Sequence, residues 1–119
     1  QRAMVASVAE RWRPDAVIIE RAANGDALIA ELSSVVPGLR GERAARDKVQ
    51  RLAESGTMEA MHAGQVWFPA DADWWDDFEA EALTCPASAH DDQVDALVWA
   101  MVAAQGGGPE GADWSAVAW

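Results

Sequence analysis

The chain has 119 residues, half of them hydrophobic, and a formal net charge of −11. That is apolar enough to fold one small domain, which excludes a disordered chain. It holds no apolar run of membrane-spanning length and no signal-peptide pattern, and its one cysteine, Cys85, allows no internal disulfide and fits a reducing compartment. The charge is uneven: all nine Lys and Arg lie in residues 1–51 beside seven acids, and thirteen acids follow from Leu52 onward. A free acidic protein is repelled by nucleic acid. An acidic site filled by metal ions is a different case, because the ions invert the local field.

Residues 3–13 predict an amphipathic helix, with Met4, Val5, Val8 and Trp12 at helical spacing and Pro14 as its stop. Ala16-Val17-Ile18-Ile19 is a continuous, mostly β-branched run, the pattern of a strand buried on both faces. Helix, strand and helix in that order imply an α/β layer with a parallel strand. Functional groups gather at the carboxyl ends of such strands, and Glu20 stands there. The plainer alternative is an ordinary strand-end acid facing water beside Arg21. Asn24-Gly25-Asp26 is a turn with a ready N-cap, opening a helix through Val36 that Pro37-Gly38 stops. Leu39 to Glu42 is a weak candidate for a second short strand.

Residues 40–51 hold five of the nine basic residues. On a helix start they would contact phosphates; a solvated face with Glu42, Arg46 and Asp47 in ion pairs explains them equally well. The pattern continues as one helix through Leu52 and Met58 to about His62. His62 and His90 are the only histidines and form no zinc spacing with Cys85, which reads as a small half-buried apolar residue. Gly64 to Pro69 predicts a strand ended by proline. Residues 73–83 form an acidic amphipathic helix whose Trp74, Trp75, Phe78 and Leu83 read as core. Residues 106–119 are expected to be a flexible tail, with at most weak docking of Trp114 and Trp119.

The stretch richest in chemistry is His90 to Leu97. Asp91, Asp92 and Asp95 enter a helix that runs almost wholly apolar from Val94 to Val102, so the acidic turn sits at the rim of a core. Asp92 and Asp95 share one helix face. Carboxylates held close repel unless protons or a cation neutralise them, and hard divalent cations favour such oxygens. Capping is the plainer alternative: Ser88 with Asp91 resembles a capping box, and first-turn acids suit the helix dipole. Capping accounts for Asp91, less fully for Asp92, and poorly for Asp95, a turn further in.

With these acids placed, the chain resembles the C-terminal nuclease domain of tailed-phage terminase large subunits. The resemblance rests on VIIERAANGDALIAEL, DKVQR, AGQVWFP, the Trp75/Phe78 helix and HDDQVDALVWAM, in that order over roughly residues 5–104. It implies an α/β domain with an RNase H-like fold, incomplete here: a small, largely parallel sheet flanked by helices over 1–105, then the tail at 106–119. It implies an endonuclease that cuts concatemeric double-stranded phage DNA in the host cytoplasm, with two Mg²⁺ or Mn²⁺ ions, alongside a portal and a small terminase subunit. The family's strand-end acid falls on Glu20. Its helix-borne acid falls on Asp95 with Asp92 as helper, and Asp91 is a further candidate ligand. Lys48 and Arg51 match a basic stretch expected to touch DNA.

The family's first acid lies on an earlier strand, absent from this chain, as is the motor domain that normally precedes it. The chain is therefore expected to be the last part of the nuclease domain, cut from a longer protein or left by a decayed prophage, and inactive alone. The alternatives are a non-catalytic acidic binding module, or another RNase H-like enzyme such as a junction resolvase.

Overall fold

A computed structural model describes residues 1–87 and 90–105. They fall into two compact units, one of residues 1–45 with residues 103–105, the other of residues 46–102. The expected tail at 106–119 and the capping role of Ser88 lie outside the described residues.

The first unit runs α1 (Arg2–Trp12), β1 (Val17–Glu20), α2 (Gly25–Leu32) and β2 (Leu39–Glu42). Helix α1 ends where Arg13 turns left-handed, at φ 46°, and its N–H bonds to the carbonyl of Ala9 at 2.9 Å. Pro14 then bars continuation. The two strands pair in parallel, Val17 opposite Leu39 and Glu20 opposite Glu42, with α2 as the crossover between them. Parallel strands require such a crossover, because a tight turn cannot reverse the chain twice. Leu32 and Val36 form the buried core of this unit.

Helix α2 stops at Leu32, four residues short of the expected end. The amides of Val35 and Val36 both turn back to the carbonyl of Leu32 at 2.9 Å. The turn still buries Val36, so the apolar spacing was satisfied without a helix. Gly25 is buried against the chain leaving β1. A Cβ there would overlap the carbonyl oxygen of Glu20. The glycine thus lets α2 begin directly against the strand end.

The second unit is helical: α3 (Lys48–Glu54), α4 (Thr57–His62), α5 (Trp75–Thr84) and α6 (Asp92–Gln105). The single helix expected over 48–62 is broken at Ser55–Gly56. Gly56 adopts φ 69°, and Ser55 Oγ bonds both the carbonyl of Leu52, at 2.9 Å, and the hydroxyl of Thr57, at 2.6 Å. Side-chain bonds of this kind offer the backbone an alternative to the helix ladder.

Residues 64–69 form no strand. The sheet of the described residues has two strands, both in the first unit, so this segment has no ladder to join. Its Phe68 instead serves packing, while Trp67 is exposed. Phe68 stacks on Trp75 and on Phe78, each with ring centroids 5.1 Å apart, and Trp74 meets Phe78 edge-on at 6.1 Å. Phe78, Val94, Leu97 and Val98 are the buried apolar residues of this unit. The α/β reading stands, with a smaller sheet than the sequence suggested. No helix among the described residues is long and apolar enough to cross a membrane.

Candidate active site at the start of the last helix

The acidic turn of α6 is built by two other helices of its unit. From α5, Glu81 accepts the backbone N–H of Val94 at 2.8 Å through one carboxylate oxygen and the side-chain amide of Gln93 at 3.1 Å through the other. Val94 is the third residue of α6, so its amide lacks a partner within the helix. Glu81 therefore acts as the cap, and its charge suits the positive end of the helix. Sequence reading assigned this role to neighbouring residues and missed Glu81. Nothing in its surroundings signals it, because the contact spans thirteen residues and is tertiary.

From α3 come two cations. Asp47 caps that helix by accepting the amide of Gln50 at 2.9 Å, and Arg46 pairs with Glu54 at 3.0 Å. Capping fixes where α3 begins, which sets Lys48 and Arg51 three apart on one face. Lys48 Nζ donates to Asp91 Oδ1 at 2.6 Å and stands 3.6 Å from Asp92 Oδ1. Arg51 Nη2 donates to Asp95 Oδ1 at 2.5 Å, its Nη1 to the carbonyl of Arg46 at 3.0 Å, and its guanidinium lies 4.8 Å from the centre of the Trp99 ring.

The two pairs differ in burial. The side chains of Arg51 and Asp95 are 8% and 11% exposed; those of Lys48 and Asp92 are 44% and 90% exposed. The hydrogen bond from Lys48 holds the Asp91 carboxyl below its usual range, and Asp91 in turn raises the Lys48 ammonium. Burial, then the neighbouring acids Asp91 and Glu81, push the Cys85 thiol up. Cys85 is thus a poor nucleophile at neutral pH. Beside these groups lies a cleft of about 20 Å³, walled by Leu52, Cys85 and Val94 under a rim of Lys48, Asp91 and Asp95. That is room for about one water molecule and too little for a small-molecule ligand.

The structure thus brings together Lys48, Arg51, Asp91, Asp92 and Asp95. Glu20 belongs to the other unit, half-buried at the end of β1. Its neighbour Arg21 turns to Asp26 Oδ1 at 2.5 Å. Among the described residues no three His, Cys, Asp or Glu side chains converge as metal ligands do. Asp91 and Asp92 face Lys48 while Asp95 faces Arg51, so the acids as they stand do not form a divalent-ion site.

A parallel strand pair joined by a crossover helix, with further helices following, makes this an α/β chain. The chain belongs to the terminase RNaseH-like domain family, whose model matches residues 1–104. The two-stranded sheet and its helices are accordingly an incomplete RNase H-like fold. No curated protein and no solved structure matches the chain significantly.

Proposed function

We propose that this chain is the nuclease portion of a DNA-packaging terminase, acting in the cytoplasm of a bacterial host on concatemeric double-stranded phage DNA, with the portal and a small terminase subunit as partners. Glu20, Asp92 and Asp95 are the acids on which cleavage depends, with Asp91 beside them. The observation that carries this reading is Asp95. It is a nearly buried carboxylate in the first turn of a core helix, where capping has already been taken over by Glu81. Its charge is met by Arg51, and it stands where the resemblance puts the family's helix-borne acid. Family membership over residues 1–104 supports the class of reaction.

Mg²⁺ or Mn²⁺ is the proposed cofactor, two ions in the working site, because oxygen-only donor sets suit hard cations. The DNA-contacting role expected for Lys48 and Arg51 requires each to leave an acid, and for Arg51 that means uncovering a buried pair. The test is cleavage of supercoiled plasmid with Mn²⁺ by the chain in its natural full-length protein. Asp95→Asn and Glu20→Gln should each abolish cutting, with folding followed by circular dichroism because Asp95→Asn also breaks the nearly buried pair with Arg51. Undiminished cutting by both variants would overturn the assignment. No cutting by the parent, with portal binding retained, would favour an acidic binding module.

A further inference from the structure

Residues 64–69 carry a strand-like apolar run and form no strand. The chain runs from Gln65 to Pro69 without turn or bend, and burial alternates along it: Val66 and Phe68 are half-buried, Gln65 and Trp67 exposed. Phe68 anchors the segment on Trp75 and Phe78 of α5, with ring centroids 5.1 Å apart in each case. Trp67 stands 88% exposed. The amide of Gln65 is bonded to the carbonyl of Ala60 at 2.9 Å. Among the described residues, the N–H and C=O groups of Val66, Trp67 and Phe68 have no partner. Successive open backbone groups form an unpaired strand edge, the feature to which extended peptides add.

The charge around this edge selects the peptide. Residues 64–84 hold six acids and no Lys or Arg. Glu81 is occupied at the start of α6. Asp71, Asp73, Asp76, Asp77 and Glu79 are exposed, and none pairs with a cation among the described residues. A nucleic-acid strand is repelled there, and so is a second copy of a chain with a net charge of −11. We propose that residues 66–68 are a docking edge for an extended basic segment of a partner protein, which adds as a strand and sets Lys or Arg against Trp67 and these acids. An exposed indole attracts a cation to its ring face. Backbone geometry decides which side is used. Along an extended chain, the N–H and C=O of every second residue point the same way. One side offers both groups of Val66 and of Phe68. The other offers Trp67 between Gln65, whose N–H is taken, and Pro69, which has none. The partner strand therefore pairs with Val66 and Phe68.

The test is amide hydrogen exchange of the ¹⁵N-labelled full chain with three synthetic peptides. The first alternates Lys and Val over about eight residues, an ordinary strand length. The second replaces Lys by Glu. The third is the Lys–Val peptide N-methylated throughout, which keeps the charges and loses the backbone donors. At about ten times its Kd, found by shift titration, the Lys–Val peptide should slow exchange at Val66 and Phe68 roughly tenfold and leave Trp67 unchanged. The other two peptides should protect neither amide. Trp67→Ala should weaken binding of the Lys–Val peptide roughly threefold. The peptide comparisons need no variant, so a folding defect in Trp67→Ala cannot mask the result. No protection by the Lys–Val peptide, or equal protection by the Glu–Val or the N-methylated peptide, would overturn the proposal. Protection of Val66 and Phe68 that grows with protein concentration alone would make a second copy the occupant and overturn it too.

Discussion

Removing one partner of the Arg51–Asp95 pair should be far more costly than removing both. Both side chains are about a tenth exposed, so either left alone is a charge with little access to water. Breaking such a buried pair costs about 3–5 kcal/mol. Arg51→Met keeps most of the stem but loses the pair, the guanidinium over Trp99 and the bond to the Arg46 carbonyl. Its expected cost is therefore about 3 kcal/mol or more. Asp95→Leu, which strands the guanidinium, should cost a similar amount. The double variant Arg51→Met/Asp95→Leu replaces two buried charges with apolar groups and should cost about 1 kcal/mol or less, well below either single change. Native-state hydrogen exchange of the slowest amides in α3 and α6 reads this directly. Either single change should speed their exchange roughly a hundredfold, and the double change far less. Lys48→Met, breaking an exposed pair, should move the same amides by no more than about 1 kcal/mol. A cost under about 1 kcal/mol for Arg51→Met, or a double variant equal to the sum, would refute the reasoning.

Three further outcomes follow from the geometry. Glu81→Ala should destabilise the start of α6 by about 1 kcal/mol, with Glu81→Gln losing less because it keeps an acceptor for the Val94 amide; exchange of that amide is the readout. The Lys48–Asp91 pair should be intact from above the ordinary carboxylate range up to the ordinary lysine range. It should weaken as pH falls through the lowered Asp91 value and again as pH rises through the raised Lys48 value, seen in the side-chain carboxyl shift of Asp91 across a pH series. Gly25→Ala should lower the melting temperature by circular dichroism, although alanine is the better helix former. The clash is with the carbonyl of Glu20, which cannot rotate aside as a side chain would, so about 1–3 kcal/mol of overpacking outweighs the smaller gain in propensity.

The elements with one unambiguous signal were legible in the sequence. The β-branched run ending in Glu20, the stop at Pro14 and the apolar run after Asp92 each specify their element locally. The misreadings share a physical cause. Val35 and Val36 sit at helical spacing, yet a turn buries Val36 as well as a helix would. Gly56 was a visible interruption, but its effect depends on Ser55 and Thr57 bonding each other. Gln65 to Phe68 ends in an apolar run stopped by Pro69, as a strand would, and a strand exists only where another offers its edge. At the site, the acids were legible as a group, and so were the basic residues of α3. That the two groups are each other's partners was not, because the pairing spans more than forty residues. Glu81 was invisible for the same reason.

The cap from Glu81 also bears on portability. The turn carrying Asp92 and Asp95 takes its starting point from one helix and its counter-charges from another. A peptide of residues 90–105 would leave both behind. It would keep three carboxylates crowded at its amino end, an orphan amide at Val94 and no Lys or Arg of its own, since none follows Arg51. Such a segment should fray, and its acids would no longer hold fixed positions. Grafting this motif onto another scaffold therefore means moving three helices together.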